Sequence, residues 1–269
     1  MMHQYEGTAW EEHFLPRLTS RKIAEMPKER ALVILPVGAV EQHGPHLPIY
    51  TDTLVGEATL AQALGHVSLE TEIWVLPPVC YGKSNEHAGL PGTISLSAAT
   101  LHGIVMDIAE SLRTSGFKKL LLFNTHGGNV DLLNTAAREI RIRTGLTVFY
   151  LSPSSLNVAA DLLEAEELKF GIHGGDYETS VVLAIKPEWV DMKLAPNEIP
   201  AMSGYEFLTL EGKIRFAWKI SDISASGVVG NATVATADKG RIIQERTVAI
   251  LAKALSELCS FEIDNVISR

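Results

Sequence analysis

The chain has 269 residues, 46% of them hydrophobic and 20% charged, which is enough to bury a sizeable core within one α/β domain. It carries 32 Asp and Glu against 23 Lys and Arg, and the basic residues are scattered, which argues against nucleic acid and anionic membrane as partners. The two cysteines, Cys80 and Cys259, lie far apart and no run of eighteen apolar residues or secretory leader stands out, so a cytoplasmic protein with neither a disulfide framework nor a thiolate zinc site is expected.

Along the chain, short apolar runs alternate with longer amphipathic ones. ALVILPV (31–37), IWVLPPV (73–79), KLLLFN (119–124) and LTVFYL (146–151) read as strands, near-continuous in apolar character as strands buried on both faces should be. Between them 51–65, 95–116 and 128–145 have helical spacing and end in glycine. The order β, α, β, α, β, α, β predicts a mostly parallel sheet with crossover helices. Residues 186–236 break into short pieces with Pro, Gly and polar residues, read as a cover over the sheet end or as a subunit contact. The stretch 237–260 is an amphipathic C-terminal helix. No repeat or interdomain linker stands out, so residues 1–269 are taken as a single domain with its core at about 30–190.

Parallel sheets bind ligands beyond the carboxyl ends of their strands. After the first predicted strand come Glu41, His43, His46 and Asp52; after the second, Glu86 and His87; after the third, His126 in NTHGGN. HGGDYETS then brings His173, Asp176 and Glu178. Two residues apart in extended chain, Glu41 and His43 point to one side. Imidazole and carboxylate together suit zinc, manganese or iron, whereas calcium prefers oxygen alone. Two such ions roughly 3.5 Å apart would polarise a carbonyl and bring a bridging water toward a pKa of about 7, supplying a nucleophile without Ser or Cys.

Any one of these histidines, taken singly, is more often a hydrogen-bonded loop residue; acids and histidines gathered at successive strand ends shift the balance toward metal. Glu86 and His87 are candidates for contacting substrate, for supporting the ligands, or for capping their loop. His3, His13, His66 and His102 are assigned to the terminus or solvated helix positions, and His46 is left open. Trp218 and Tyr205 are expected to pack, with a pocket-facing role as the alternative, and Cys80 to fill core space.

LPVGAVEQHGPHLPIYTDT, GKSNEHAGLPGTISLS, NTHGGN and HGGDYETS, in that order, resemble the creatininase (creatinine amidohydrolase) family over roughly residues 30–190, and more weakly toward residue 240. The resemblance implies a three-layer α/β/α sandwich with a binuclear metal centre, assembled as a homohexamer. Carried over by motif, Glu41 and His126 would bind one ion and His43 the other, Asp52 would bridge them, and Glu178 is the candidate for the remaining ligand. His173 would act as general acid toward the leaving nitrogen. The implied enzyme is a metal-dependent amidohydrolase: a bridging hydroxide would attack a non-peptide C–N bond of a small molecule.

Two departures from creatininase itself point away from creatinine as the substrate. The glutamate that it has two residues after the third-strand histidine is Gly128 here. Its tryptophan before the catalytic histidine is absent, since Lys169, Phe170, Gly171 and Ile172 stand there. Sequences with the HGGN form are similar to relatives that hydrolyse a formylamide, a peptide bond in a redox-cofactor precursor, or a cyclic diketone derived from inositol. Hydrolysis of a C–C bond in such a diketone is therefore the alternative activity. A nucleotide-binding module, suggested by the strand, glycine loop and helix around NTHGGN, is a weaker one because no phosphate-loop motif occurs. A catalytically inactive assembly subunit is a third.

Overall fold

The computed structural model describes residues 6–212 and 214–267. After a short helix α1 (Ser20–Glu25) the chain enters β1 (Leu32–Val37), crosses through α2 (Thr51–Leu64) to β2 (Ile73–Val75), and returns by α3 (Ala98–Thr114) to β3 (Lys119–Asn124). Helix α4 (Val130–Thr144) then leads to β4 (Thr147–Leu151). The sheet order is β2-β1-β3-β4 and every pairing is parallel, with Leu32 opposite both Ile73 and Lys119 and Val37 opposite Asn124. The chain leaves β1 first toward β2 and later arrives on its other side at β3. The crevice of such a sheet therefore opens between the carboxyl ends of β1 and β3.

Alternation along β1 and β3 sorts their side chains between two helical layers. Val33, Leu35, Val37, Leu120 and Leu122 face α3 and α4, meeting Leu101, Val105, Leu133, Ala136 and Ile140. Leu32, Ile34, Leu121 and Phe123 face the opposite way, against Leu60 and Leu64 of α2 and Leu251 and Leu255 of α8 (Ala237–Ser260). Each such side chain taken from water contributes roughly 1.5–3 kcal/mol, so these two layers dominate the stability. The result is the α/β/α sandwich with a parallel sheet. Helix α8 matches the expected 237–260; Thr236 caps it by accepting from the Lys239 amide at 3.2 Å.

Two strand expectations need correction. The ladder of β2 stops at Val75 rather than 79, because Pro77 and Pro78 carry no amide hydrogen; pairing resumes only as a single bridge between Val37 and Val79. Strand β4 is half-buried along its whole length, since it is an edge strand and not covered on both faces.

Beyond β4 come α5 (Ala165–Phe170) and α6 (Asp176–Ile185), the latter packed between α2 and α8. The following segment holds four two-residue strands, β5 (Asn197–Glu198), β6 (Leu208–Thr209), β7 (Ile214–Arg215) and β8 (Gly230–Asn231), and the short helix α7 (Ile220–Ile223). It gathers its own apolar cluster of Phe170, Met202, Leu210, Ile220 and Val229. Among the described residues no helix is long and apolar enough to cross a membrane.

Candidate active site

The loop after β1 carries the first group of side chains. The Glu41 amide donates to the Ile49 carbonyl at 3.0 Å and closes the loop; the Thr51 hydroxyl donates to the Pro48 carbonyl at 2.7 Å as α2 begins. Asp52, in the first turn of α2, thereby points back at Glu41 and His43, and all three are buried. The third strand contributes His126, whose amide donates to the Asn124 side chain at 3.3 Å. Asn129 then ties the strand ends together: its amide nitrogen donates to the Gly38 carbonyl at 3.0 Å and its oxygen accepts from the Lys83 amide at 2.9 Å. Glu178 arrives from the first turn of α6, held by the Gly174 amide at 2.6 Å, and His173 from the bridge to Val229.

The structure brings all the predicted ligands together. His43 Nε2 lies 3.3 Å from Asp52 Oδ1 and 3.9 Å from Glu178 Oε2. His126 Nδ1 lies 3.2 Å from Glu41 Oε1 and 3.4 Å from Asp52 Oδ2. Glu41, Asp52 and His126 form one group with metal-ligand spacing, and His43, Asp52 and Glu178 form another. His87 Nε2 and His173 Nδ1 stand 3.8 and 3.6 Å from the same Glu41 Oε1. Asp176 does not join them: it is fully buried against Lys239 and Ser180, bracing α6 to α8.

Hydrogen bonding on the far side of each ring fixes what it presents to the centre. His43 Nδ1 donates to the Glu41 carbonyl at 3.0 Å and His126 Nε2 to the Lys83 carbonyl at 3.1 Å. The inward nitrogens, His43 Nε2 and His126 Nδ1, therefore meet carboxylate oxygens, and a lone pair facing a lone pair repels unless a proton or a cation lies between. His43 Nε2, Glu41 Oε2 and Asp52 Oδ2 are buried without a hydrogen-bond partner. A divalent ion would satisfy atoms orphaned in this way, so the donor set fits a metal.

Electrostatics agree with this reading. Burial pulls the His43 pKa down, but Asp52, Glu178 and Glu41 outweigh it and raise it to about 10. His126 is driven well above the ordinary imidazole range against burial by Glu41, Asp52 and Glu86. Asp52 is buried, which alone would raise its pKa, yet the two rings hold it below the usual carboxylate range. Burial lifts Glu178 to about 7, despite the attraction of His43. In contrast, burial and the charge on His43 hold His173 well below the usual imidazole range, and burial and His173 hold His87 at about 3. The two outer histidines thus favour the neutral ring, while the carboxylates draw positive charge onto His43 and His126.

A cavity of about 570 Å³ opens over the cluster, lined by Glu41, Asp52, Glu86, His87, His126 and His173 on the sheet side. Its outer wall comes from the irregular segment, with Leu210, Glu211, Arg215, Phe216 and Trp218. Of the segment 186–236, residues between 210 and 218 line this cavity. Trp218 both packs and faces the cavity, whereas Tyr205 is exposed and lines neither it nor the smaller cavity beside it.

Glu86 sits on the site with its Oε1 3.5 Å from His126 Nε2 and its Oε2 2.7 Å from Lys83 Nζ. Opposed by burial, His126 and Lys83 bring its pKa down to about 2. A β-carbon at position 128 would overlap Glu86 Oε1 most closely, and His126 Nε2 and the Lys83 carbonyl as well, so the glycine there and the glutamate at 86 compete for one volume.

The remaining expectations divide. His46, left open, is a buried brace: its Nε2 donates to the Thr179 hydroxyl at 2.8 Å, and burial holds it neutral at about 4. His13, expected in solvent, is buried, with Nδ1 2.9 Å from the Ile73 carbonyl, because the N-terminal turns fold back on the sheet edge. His66 is exposed and His102 half-buried. His3 lies outside the described residues. Cys80 is only half-buried, its sulfur 3.7 Å from the Tyr50 hydroxyl, so it is not a core filler. Gln42, Ser84, Glu211 and Arg215 were not singled out from the sequence. Gln42 was masked by its own position, since in extended chain it points away from Glu41 and His43.

A buried carboxylate and histidine cluster at the switch point of a parallel α/β sheet has the spacing of a divalent-metal site. The profile of the creatinine amidohydrolase family matches residues 16–255, and the chain belongs to the creatininase family. It is 33% identical over 236 residues to a mycofactocin precursor peptide peptidase of Mycobacterium ulcerans, covering 85% of this chain and 86% of that protein. It is 32% identical over 247 residues to the creatinine amidohydrolase of Pseudomonas putida, covering 84% and 89%. A solved structure described as "Creatininase Mn" superposes with a TM-score of 0.70 at 29% identity, covering 92% of this chain and 99% of that one. The chain is accordingly a creatininase-family hydrolase.

Proposed function

We propose that this protein hydrolyses an amide C–N bond of a small substrate at a binuclear centre, with Glu41, Asp52 and His126 holding one divalent ion and His43, Asp52 and Glu178 the other. The carrying observation is Asp52, whose two oxygens face two different histidines, Oδ1 toward His43 and Oδ2 toward His126. A carboxylate so placed would be able to serve two cations, one at each oxygen. Imidazole with carboxylate favours zinc or manganese, and iron is compatible.

When bound, the ions would supply an activated water and polarise the scissile carbonyl. The chain's own groups do the rest. His173 is neutral, with Nε2 donating to the Gln42 carbonyl at 2.7 Å, so its Nδ1 faces the cluster as a lone pair able to take a proton from water and return it to the departing nitrogen. Glu86 and His87 line the cavity where substrate enters, and Trp218 closes its apolar side. A homo-oligomer, a homohexamer by family resemblance, is the expected assembly.

A second reading, a peptide substrate, is favoured by the peptidase relative and by a second cavity of about 370 Å³ that also reaches His173, Glu178 and Glu211. Both cavities share His173, Glu178 and Glu211, so an extended substrate would find lining from each beside the cluster. Purified protein screened against creatinine, formylamides, short peptides and keto-inositols separates the amide readings from each other and from C–C hydrolysis. Metal analysis and activity of Asp52→Ala and His126→Ala test the centre: full metal with full hydrolysis in both sinks it.

A further inference from the structure

Two histidines flank the cluster, and one residue positions both. Gln42 is buried, and each of its side-chain polar atoms has a determined role. Its Oε1 accepts from the Gly44 amide at 2.9 Å and its Nε2 donates to the Gly227 carbonyl at 2.9 Å. Turning the amide over would set oxygen against oxygen at Gly227 and nitrogen against nitrogen at Gly44, so the assignment is unique. The second hydrogen on Nε2 goes to His87 Nδ1 at 2.8 Å. His87 Nδ1 is then an acceptor, and the ring's proton sits on Nε2.

That Nε2 points to the centre, 3.8 Å from Glu41 Oε1, and His87 lines the larger cavity. The main-chain carbonyl of the same Gln42 accepts from His173 Nε2, which leaves His173 Nδ1 bare. The rings of His87 and His173 lie against each other, centroids 4.2 Å apart and tilted by 37°. One residue thereby gives two adjacent imidazoles opposite faces: an N–H on His87 and a lone pair on His173. Gly227 is a glycine because a β-carbon there would overlap the Gln42 amide.

Resting on the amide-hydrolase reading above, we infer that His87 donates its Nε2–H to the scissile carbonyl oxygen as that oxygen gains negative charge, and that Gln42 is the positioning residue that keeps the proton on Nε2. The substrate is thereby defined as one that presents a carbonyl oxygen toward His87 and a leaving nitrogen toward His173. No proton leaves His87 in this step; it gives a hydrogen bond that strengthens toward the transition state.

The test reads the tautomer directly. Long-range proton–nitrogen correlation spectra are recorded on histidine-15N-labelled protein, with and without added zinc, for the parent chain, Gln42→Glu and Gln42→Met, with His87→Ala used to assign the ring. The parent is expected to show His87 with a protonated Nε2 and a bare Nδ1. Gln42→Glu, which accepts and does not donate, is expected to move the proton to Nδ1, and Gln42→Met to give a mixture, while His173 stays unchanged in both because a main-chain group holds it. A bare Nε2 on His87 in the parent, or an unmoved proton in both variants, overturns the positioning role. On the substrate returned by the screen, His87→Ala is expected to lower kcat about 100-fold or more with little change in KM, and His87→Gln, which keeps a donor, to recover part of it; unchanged kcat overturns the donor role. Absence of bound zinc in the parent would sink the hydrolase reading on its own, since the tautomer is read in the metal-free sample as well.

Discussion

His126 Nδ1 lies 3.2 Å from Glu41 Oε1 while the opposite nitrogen of the ring, Nε2, is committed to the Lys83 carbonyl. The ring can approach Glu41 only through a shared proton or a shared cation. His126→Ala and Glu41→Gln are therefore each expected to lower zinc or manganese affinity by at least 10-fold and to take hydrolysis with it. Titration calorimetry with the metal alone, independent of any substrate, checks this.

Metal and proton compete for the same atoms. Since burial is outweighed by Asp52 and its neighbours and His43 rises to about 10, loading at pH 7 must expel its proton, and that of His126 as well. Metal affinity is expected to increase with pH from 6 to 9, with proton release visible as a buffer-dependent binding enthalpy. Folding follows the opposite sign in the metal-free chain. A raised His43 stabilises the fold fully below its unfolded value of 6.5, and that contribution is lost as pH climbs through about 10. The metal-free Tm should drop between pH 7 and 10, on the order of 5–10 °C, whereas the loaded protein should hold level. A flat metal-free profile would contradict the raised imidazole.

Gly128 and Glu86 share one volume. Gly128→Ala is expected to push Glu86 off His126 and Lys83 and to destabilise the chain by roughly 1–3 kcal/mol. Adding Glu86→Ala should recover part of that loss, so a double-mutant cycle by denaturant unfolding should be clearly non-additive. Strict additivity would mean that the two positions do not compete.

Asp176 is fully buried and reaches Lys239 Nζ at 2.5 Å, with Ser180 donating to its other oxygen at 2.9 Å. Lys239→Met strands that carboxylate and should cost about 3 kcal/mol, and Asp176→Asn in the same background should restore much of it. Because Asp176 opens the helix that carries Glu178, the single variant should also bind metal more weakly; both effects are measured on the same preparation by thermal melts and metal titration.

Sequence alone disclosed the parallel sheet, since runs such as KLLLFN are apolar in both phases and can only lie between two layers. It also disclosed the ligand cluster, because Glu41, Asp52 and His126 stand just beyond strand ends. What it missed depends on long-range contact. The pairing of Gln42 with Gly227 joins residues 185 positions apart, and no local period foretells it. His13 looks polar and terminal, and its burial follows from a chain that folds back on the sheet edge. Likewise Pro77 and Pro78 ended a strand that hydropathy would have extended to residue 79.

The gripping side chains are spread from residue 41 to residue 178 and meet only once β1, β3 and α6 are docked on one another. A chain still emerging from the ribosome cannot assemble the His43, Asp52 and Glu178 group before its α6 segment is out, whereas Glu41, Asp52 and His126 are all present by residue 126. On the binuclear reading proposed above, the position that includes Glu178 would therefore become available last, when α6 docks.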